Sequence, residues 1–250
     1  MERKLVAAIA CRNQGARLYG KPIQNLDVEN GVRILDNIIG CLKTLSFIDE
    51  IVLGISEGIE NEIFKSIAES KGIRFIIGDQ IDVLGRLIQC GKVAGATDIF
   101  RVTSESPFLY YQPVEKLWLN HTKKNLDVTF FDNVIDGCGF EIISLTALET
   151  SHQNGQAKHR SELCSLYIRE NRSKFVIENA PPPEDLIRSD LRLTVDNPED
   201  LAVCRILYNT FKNDAPCFDI HKLVNFLDQN PKLKELVAPF TEAGYSLMYR

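Results

Sequence analysis

The regular alternation of short apolar runs with helix-like segments is the feature that most constrains the fold of this chain. Apolar runs predict strands at residues 6–10, 51–55, 73–77, 99–103 and 128–131, and helically spaced apolar residues predict helices at 34–45, 59–70, 83–93 and 114–121. Strands that alternate with helices form mainly parallel sheets with helices on both faces. The sequence therefore predicts a three-layer α/β fold whose ligand site lies beyond the carboxyl ends of the strands.

The pattern becomes less regular beyond residue 133. It predicts strands at 140–144, 175–178 and 191–195, helices at 145–151 and 163–170, and another helix that opens at Asn197-Pro198, because proline is favoured in a first helical turn. Residues from Pro231 onward are interpreted as a tail that packs late. At 250 residues the chain is treated as a single domain, 1–250, in which 134–180 is an inserted arm that forms a subunit contact or a wall of the acceptor site.

Composition argues against several classes of function. The net charge of −5 argues against a nucleic-acid partner, and seven cysteines without C-x-x-C spacing argue against a disulfide framework or a zinc ribbon. We expect most of these cysteines to be buried thiols in a reducing compartment. The sequence has no signal-peptide pattern and no apolar run near the roughly 20 residues that span a bilayer, so we expect a cytoplasmic protein without a membrane partner. His121, His152 and His221 lack ligand spacing and are assigned to the surface.

A basic loop follows the first predicted strand. It contains Arg12, Arg17 and Lys21, with Gly15 and Gly20 between them. Three neighbouring cations repel one another unless an anion lies among them, and glycines allow backbone N–H groups to approach a ligand. A polyphosphate satisfies both features, whereas an ordinary basic surface loop with two turn glycines explains the local pattern equally well.

The same loop contains a partial P-loop signature. Residues 15–21 match G-x-x-x-x-G-K, but Pro22 stands where the P-loop requires a serine or threonine hydroxyl for Mg²⁺. Proline supplies neither a hydroxyl nor an N–H group. The sequence therefore argues against a P-loop ATPase, although the loop is still expected to bind phosphates.

Two acidic residues, Glu105 and Asp196, follow predicted strands at the same edge as the basic loop. A divalent cation that also binds substrate phosphates is usually held by only one or two carboxylates. Taken alone, Asp196 is better explained as the cap of the helix that follows it, and Glu105 as a solvated loop acid. Asp82 and Arg86 lie one helical turn apart, which also suits a simple pair on a helix surface.

Five stretches carry a resemblance to a known family. They are ACRNQGARLYGKP (10–22), DVLGR (82–86), RVTSESP (101–107), HRSELCSLYIREN (159–171) and PPPEDLIRSDLRLTVDNPEDL (181–201). In order and spacing they resemble the motifs of cytidylyltransferases that activate acidic sugars. The most similar branch is the SpsF-like group of spore coat polysaccharide synthesis, which is related to the CMP-Kdo and CMP-sialate synthetases.

This resemblance implies a Rossmann-like nucleotidyltransferase, usually a homodimer, that transfers CMP from CTP to a sugar, a sugar acid or a related small acid and releases pyrophosphate with the help of Mg²⁺. It implies catalytic roles for Arg12, Arg17 and Lys21, and a metal site at Glu105 and Asp196. The implied nucleotide-binding residues are Ala10, Arg12, Asn13, Gly15, Arg17, Lys21, Asp82, Arg86 and Thr103, and the implied acceptor-binding residues are Glu141, His159 and Arg160.

The chain departs from the family pattern at several positions. Ser104-Glu105 replaces Gly-Asp, Gly15-Ala16 replaces a hydroxyl-bearing pair, and Tyr19 replaces proline. These departures indicate an altered acceptor, an altered metal shell or a catalytically silent nucleotide-binding relative. A nucleotidyltransferase that uses GTP or another nucleotide also stays open, because the sequence does not locate the contacts that select the base. A glycosyltransferase of similar architecture is disfavoured, because no D-x-D motif ends a central strand.

Overall fold

A computed structural model describes residues 3–248, with side chains described as far as Glu242. Its strands are β1 (Leu5–Cys11), β2 (Asn25–Asp27), β3 (Val32–Arg33), β4 (Glu50–Ser56), β5 (Arg74–Gly78), β6 (Asp98–Thr103), β7 (Val128–Phe131), β8 (Phe140–Ser144) and β9 (Ile177–Asn179). Its α-helices are α1 (Ile34–Lys43), α2 (Glu62–Lys71), α3 (Val83–Ala94), α4 (Val114–Lys123), α5 (Leu145–Asn154), α6 (Leu166–Glu170), α7 (Pro198–Thr210), α8 (Ile220–Gln229) and α9 (Pro231–Met248).

Seven of these strands form one twisted sheet in the order β5-β4-β1-β6-β8-β7-β9. All neighbouring pairs are parallel except those that involve β8, which runs antiparallel to both β6 and β7. In register, Ala10 of β1 lies between Gly54 of β4 and Thr103 of β6. The predicted mainly parallel sheet is confirmed, and the carboxyl ends of its central strands meet at one edge.

The core lies on both faces of the sheet. Leu5 and Ile9 of β1 point into a core shared with α1, α2, α4, α7 and α8, whereas Val6 and Ala8 point into a second core shared with α3, α5 and α6. Every residue of β1 except Ala10 is buried, which explains why its sequence is a continuous apolar run rather than an alternating one. The predicted three-layer α/β architecture is therefore confirmed.

The predicted strand at 191–195 is wrong. This segment makes a single bridge, between Arg192 and Asp136, and forms no strand of the sheet. Its N–H groups instead reach loop carbonyls, from Leu193 to Asp136 at 2.7 Å and from Val195 to Glu105 at 3.0 Å. The segment is thus extended and buried, but it lies across loop ends rather than beside a strand.

Other differences concern short or late elements. The helix predicted at 163–170 begins only at Leu166, and the pairing of β2 with β3 was not predicted. Residues from Pro231, interpreted as a tail, form α9, and its Val237 is buried in the core. The helix that opens at Asn197-Pro198 is confirmed as α7.

The cysteines and histidines give mixed outcomes. All seven cysteines are free and six of them are buried, as expected. The surface assignment of His121 is wrong, because its ring is fully buried and contacts Thr129 at 2.8 Å and Asp98 at 3.1 Å. His152 is partly buried, with Nε2 2.6 Å from a carboxylate oxygen of Asp82.

Within residues 3–248, no helix combines the length and the apolar character that a membrane crossing requires.

Candidate functional site

The basic loop leaves β1 at the central edge of the sheet and folds back on itself. The N–H of Gly20, which has a left-handed φ of 62°, donates to the carbonyl oxygen of Asn13 at 2.8 Å. A Cβ added to Gly15 would lie 2.2 Å from the carbonyl oxygen of Leu18, so this position requires glycine. The N–H of Asn13 donates to Oδ1 of Asn61 at 2.8 Å and ties the loop to the neighbouring connection. The loop is therefore held in one compact shape.

Two cations of the loop meet the distant acid Asp196. Lys21 Nζ lies 2.5 Å from Asp196 Oδ1, and Arg17 Nη2 lies 3.1 Å from the same oxygen. The third cation, Arg12, pairs with Glu162. The structure thus brings Lys21 and Asp196, which are 175 residues apart in the chain, to one place at the carboxyl edge of the sheet.

The other oxygen of Asp196 is held from inside the protein. Arg192 donates to Asp196 Oδ2, to Asp136 Oδ2 and, through Nε at 2.9 Å, to Asp200. Asp200 also accepts the N–H groups of Asp196 at 2.9 Å and Asn197 at 2.8 Å. The N-cap of α7 is Asn197, so the interpretation of Asp196 as a helix cap is wrong.

The ionisable groups around Asp196 differ in their pKa values. Burial raises the pKa of Asp196, but the hydrogen bond and charge of Lys21 and the charges of Arg192 and Arg17 outweigh it, so its pKa lies below the usual value. Burial raises the pKa of Glu105 in spite of the attraction of Lys21. Burial and the nearby carboxylates of Asp196, Asp200 and Glu105 raise the pKa of Asp136 to about 6, although Arg192 opposes the shift. Of Asp196, Glu105 and Asp136, Asp196 is therefore the one whose surroundings favour the ionised form.

Two cavities adjoin this acid. One, of about 250 Å³, is lined by the basic loop and by the ends of β1 and β6, and the other, of about 940 Å³, extends from there towards β8 and α6. Arg12, Arg17, Thr103, Glu105 and Asp196 line both cavities. The predicted nucleotide-binding residues Ala10, Asn13, Gly15, Lys21 and Arg86 line the smaller cavity. The structure thus brings most of the predicted nucleotide and metal residues together.

Asp82 and Arg86 do not form a pair with each other. Asp82 caps α3 by accepting the N–H of Gly85 at 2.7 Å, so the interpretation of the two as a surface ion pair is wrong. Arg86 is buried and donates to the carbonyl oxygens of Asp79 at 2.6 Å and Gln80 at 3.3 Å. Its Nε is buried without a hydrogen-bond partner among the side chains described up to residue 242, as is Oδ1 of Asn13. Both side chains line the smaller cavity, and each has one polar atom available for a further hydrogen bond.

The far wall of the larger cavity is a charged network around Glu141. This buried carboxylate accepts from Ser165 Oγ at 2.5 Å, from Arg101 at 3.0 Å and from Arg169 at 2.8 Å. Arg169 also holds Asp132 through two nitrogens, at 2.6 and 3.1 Å. Glu141 was predicted from the family resemblance to contact the acceptor, and it does line this cavity.

The other two predicted acceptor residues lie elsewhere. His159 and Arg160 line neither of the two cavities, although Ser161 and Glu162 beside them line the larger one. His159 Nε2 contacts Glu170 at 2.8 Å, and His159 Nδ1 accepts the N–H of Gln156 at 2.7 Å. The acceptor role of His159 and Arg160 stays a prediction.

Sequence reasoning missed several residues of the site. Arg192, Asp136 and Asp200 were not singled out, and neither were Arg101 and Arg169 as partners of Glu141. No local signal distinguished Arg192 from a solvent-facing residue, because in the alternation of 191–195 it shares a face with Thr194. Asp200 did carry a local signal, because it stands three residues after the N-cap Asn197, in the position of a capping box. Asp136, Arg101 and Arg169 carried none, because their partners come from distant parts of the chain.

The sheet, together with the basic loop and the acid at its carboxyl edge, defines an α/β protein with the fold of nucleotidyltransferases. No protein-family model matches the chain. It is 28% identical over 97% of its length to an uncharacterized protein of Methanocaldococcus jannaschii, covering 98% of that protein. It is 24% identical over 89% of its length to the spore coat polysaccharide biosynthesis protein SpsF of Bacillus subtilis, covering 93% of it.

Solved structures agree with this assignment of the fold. A cytidylyltransferase from Leptospira borgpetersenii matches 93% of this chain and 97% of its own, with a TM-score of 0.82 at 21% identity. A CMP:2-keto-3-deoxy-manno-octonic acid synthetase, solved in complex with CTP, matches 83% of this chain and 99% of its own, with a TM-score of 0.61 at 14% identity. The resemblance to cytidylyltransferases is confirmed at the level of fold.

Proposed function

We propose that the chain is a nucleotidyltransferase that transfers CMP from CTP to a small sugar or acidic acceptor and releases pyrophosphate. An acceptor oxygen forms a bond to the α-phosphorus, the bond from that phosphorus to the bridging oxygen breaks, and pyrophosphate leaves with the electron pair. The acceptor hydroxyl proton is released in the same reaction. By analogy with the named role of SpsF, the product serves as a precursor of a surface polysaccharide.

One observation carries this proposal: Lys21 and Arg17 of the first loop meet Asp196 beside a cavity of about 940 Å³. In this structure the cations and the acid neutralise one another. A triphosphate would compete for the cations, and its counter-ion would compete for the acid. This cavity is larger than the one lined by the basic loop, so it leaves room for a second substrate. A pocket for phosphates next to a pocket for an acceptor is what nucleotidyl transfer requires.

The residues of the loop act by position and charge. Lys21 and Arg17 bind the triphosphate and neutralise the negative charge that develops on the leaving pyrophosphate. Arg12 extends the same cationic surface once it is released from Glu162. The fixed loop holds the reacting phosphorus in place, which lowers the entropic part of the barrier, and no covalent enzyme intermediate is required.

The residues present fit a divalent cation at this site. Asp196 has a lowered pKa, lines both cavities and has one oxygen, Oδ1, that is paired with the loop cations Lys21 and Arg17; Glu105 lines the same cavities. Residues 3–242 contain no group of three acidic, histidine or cysteine side chains that could hold a metal ion alone, so triphosphate oxygens would complete its ligand set. When bound, Mg²⁺ would screen the phosphate charge and polarise the phosphoryl group.

A pyrophosphate-release screen tests the proposal. Each of the four nucleoside triphosphates is combined with keto-sugar acids, sugar phosphates and phosphonates in the presence of Mg²⁺, with Asp196→Asn as the control that keeps the shape of the side chain. We expect release with CTP and at least one acceptor, and its loss in the control. Release with GTP instead would revise the base specificity.

The absence of release with any pair would favour the silent relative. The replacement of Gly-Asp by Ser104-Glu105 motivates this second candidate, because it changes the residue next to the proposed metal site. A silent relative would still bind CTP, so titration calorimetry separates it from a protein without a nucleotide site. The expected homodimer is also a proposal, and light scattering after size exclusion tests it.

A further inference from the structure

The two oxygens of Asp196 have different partners. Oδ1 contacts Lys21 and Arg17, whose side chains belong to the loop that is proposed to bind the triphosphate. Oδ2 contacts Arg192, which has 1% of its side chain exposed and lies behind the acid. The side chain of Arg17, in contrast, is 51% exposed. One oxygen therefore faces cations that a ligand can draw away, and the other faces a cation that no ligand reaches.

Arg192 is itself fixed on three sides. Its Nε and two terminal nitrogens each have a separate carboxylate partner, namely Asp200, Asp136 and Asp196. Asp200 is fully buried and also fixes the backbone N–H groups of Asp196 and Asn197. This framework lies within the protein and contains no residue of the basic loop, so removal of the loop cations leaves it intact.

The charges around this framework are unbalanced without the loop. Four acidic residues lie near one another here, because Glu105, Asp196 and Asp200 all raise the pKa of Asp136. Arg192 is the cation that contacts Asp136, Asp196 and Asp200. When Lys21 and Arg17 move to phosphate oxygens, the outer oxygen of Asp196 loses both of its cationic partners. The site then attracts a new cation, and the charge of a divalent ion is the better match.

We propose that Arg192 is a positioning residue that holds Asp196 in place when a triphosphate draws Lys21 and Arg17 away, so that this chain binds a divalent cation only together with the nucleotide. This inference rests on the proposed function and adds an order of events to it. Without nucleotide, Lys21 and Arg17 occupy the oxygen that the ion needs. With nucleotide, the oxygen is vacated and Arg192 keeps it pointed into the cavity.

The test measures how strongly metal and nucleotide binding depend on each other. Calorimetry gives the affinity of a non-hydrolysable CTP analogue in EDTA and in excess Mg²⁺, and binding of Mn²⁺ without nucleotide is measured separately. For the wild-type chain we expect no Mn²⁺ binding below millimolar concentration, and analogue affinity about tenfold higher with Mg²⁺, within the usual range of coupling between two ligands.

The informative variant is Arg192→Lys, which keeps a charge but cannot contact three carboxylates at once. We expect the affinity of Arg192→Lys for the analogue in EDTA to stay within about twofold of wild type. The increase in that affinity on adding Mg²⁺ should fall from about tenfold to below about twofold, so that most of the coupling between metal and nucleotide is lost. The matched control is Arg188→Lys, because Arg188 pairs with Asp190 and Asp228 on the exposed surface. A purely structural role of Arg192 would lower both affinities together.

Folding of the variant is checked by circular dichroism. If Arg192→Lys does not fold, Asp200→Asn removes the charged partner of Arg192 Nε while an amide oxygen remains for the backbone N–H groups, and the same loss of coupling is expected. Full coupling in a folded variant, or tight Mn²⁺ binding by the wild-type chain alone, would overturn the inference. Failure of the wild-type chain to bind the analogue under any condition would instead refute the proposed function.

Discussion

Replacement of Lys21 by methionine tests the proposed phosphate site most directly. Lys21→Met keeps the length of the aliphatic stem and removes the charge that lies 2.5 Å from Asp196. Only 19% of the Lys21 side chain is exposed, so its charge is poorly screened by solvent. Two unit charges about 4 Å apart interact by about 4 kcal/mol at an effective dielectric constant of 20, before desolvation is subtracted.

We expect a net loss of about 2.7 kcal/mol in transition-state stabilisation, which is about 100-fold in kcat/KM. The fold should survive, because Asp196 keeps its contacts with Arg17 and Arg192. The expected cost in the free energy of unfolding is about 1 kcal/mol, which would lower the Tm by about 2–4 °C in a chain of this size.

The assay is Mg²⁺-dependent pyrophosphate release with the acceptor found in the screen, together with calorimetric binding of a CTP analogue. Lys222→Met is the matched control, because Lys222 of α8 forms an exposed ion pair with Asp214 at 2.9 Å and neither residue lines either cavity. Turnover of folded Lys21→Met within threefold of wild type would refute the assignment of the loop. An equal loss in Lys222→Met would show that the effect is not specific to the site.

Three further outcomes are expected. Glu162→Gln should tighten binding of a CTP analogue about twofold in calorimetry, because it frees Arg12 from an exposed ion pair, and weaker binding would contradict this. Glu141→Gln should raise the acceptor KM about tenfold and leave analogue binding unchanged, because it weakens the hold on Arg169, which lines the larger cavity and not the smaller one, a loss of about 1.4 kcal/mol. Folding raises the pKa of Asp136 from 3.8 to about 6, so between these pH values the folded chain binds the proton of Asp136 more tightly than the unfolded chain does. The free energy of unfolding therefore falls as pH rises through this interval. Asp136→Asn should therefore show a more favourable Tm difference from wild type at pH 7 than at pH 4, and a constant difference would refute this assignment.

The strands and the loop of the amino-terminal half could be predicted because their signals are local. β1 is buried on both faces, so its run of small apolar residues is sufficient to identify it, and the cations that follow it are adjacent in the chain. The pairing of β2 with β3 could not be predicted in the same way. These strands span three and two residues, which is too short for a periodic pattern to be recognised.

The segment at 191–195 shows what an alternating pattern does and does not establish. Leu191, Leu193 and Val195 are buried in the core, and Arg192 and Thr194 point to the polar side, as in a strand with two different faces. The alternation correctly predicts an extended, buried segment. It carries no information about backbone pairing, and here the N–H groups reach loop carbonyls instead of a neighbouring strand.

The direction of β8 links the two halves of the site, and it is the property that a pattern of apolar residues cannot reveal. Because β8 runs against β6, its first residues lie beside the carboxyl end of β6, and Glu141 pairs in register with Arg101. A parallel β8 would have carried its first residues to the opposite edge, away from the basic loop. The single reversed strand between β6 and β7 thus places the Glu141 network at the edge where Lys21 meets Asp196, and the larger cavity joins the two. The proposed acceptor pocket therefore depends on the topology of the sheet as much as on the residues that line it.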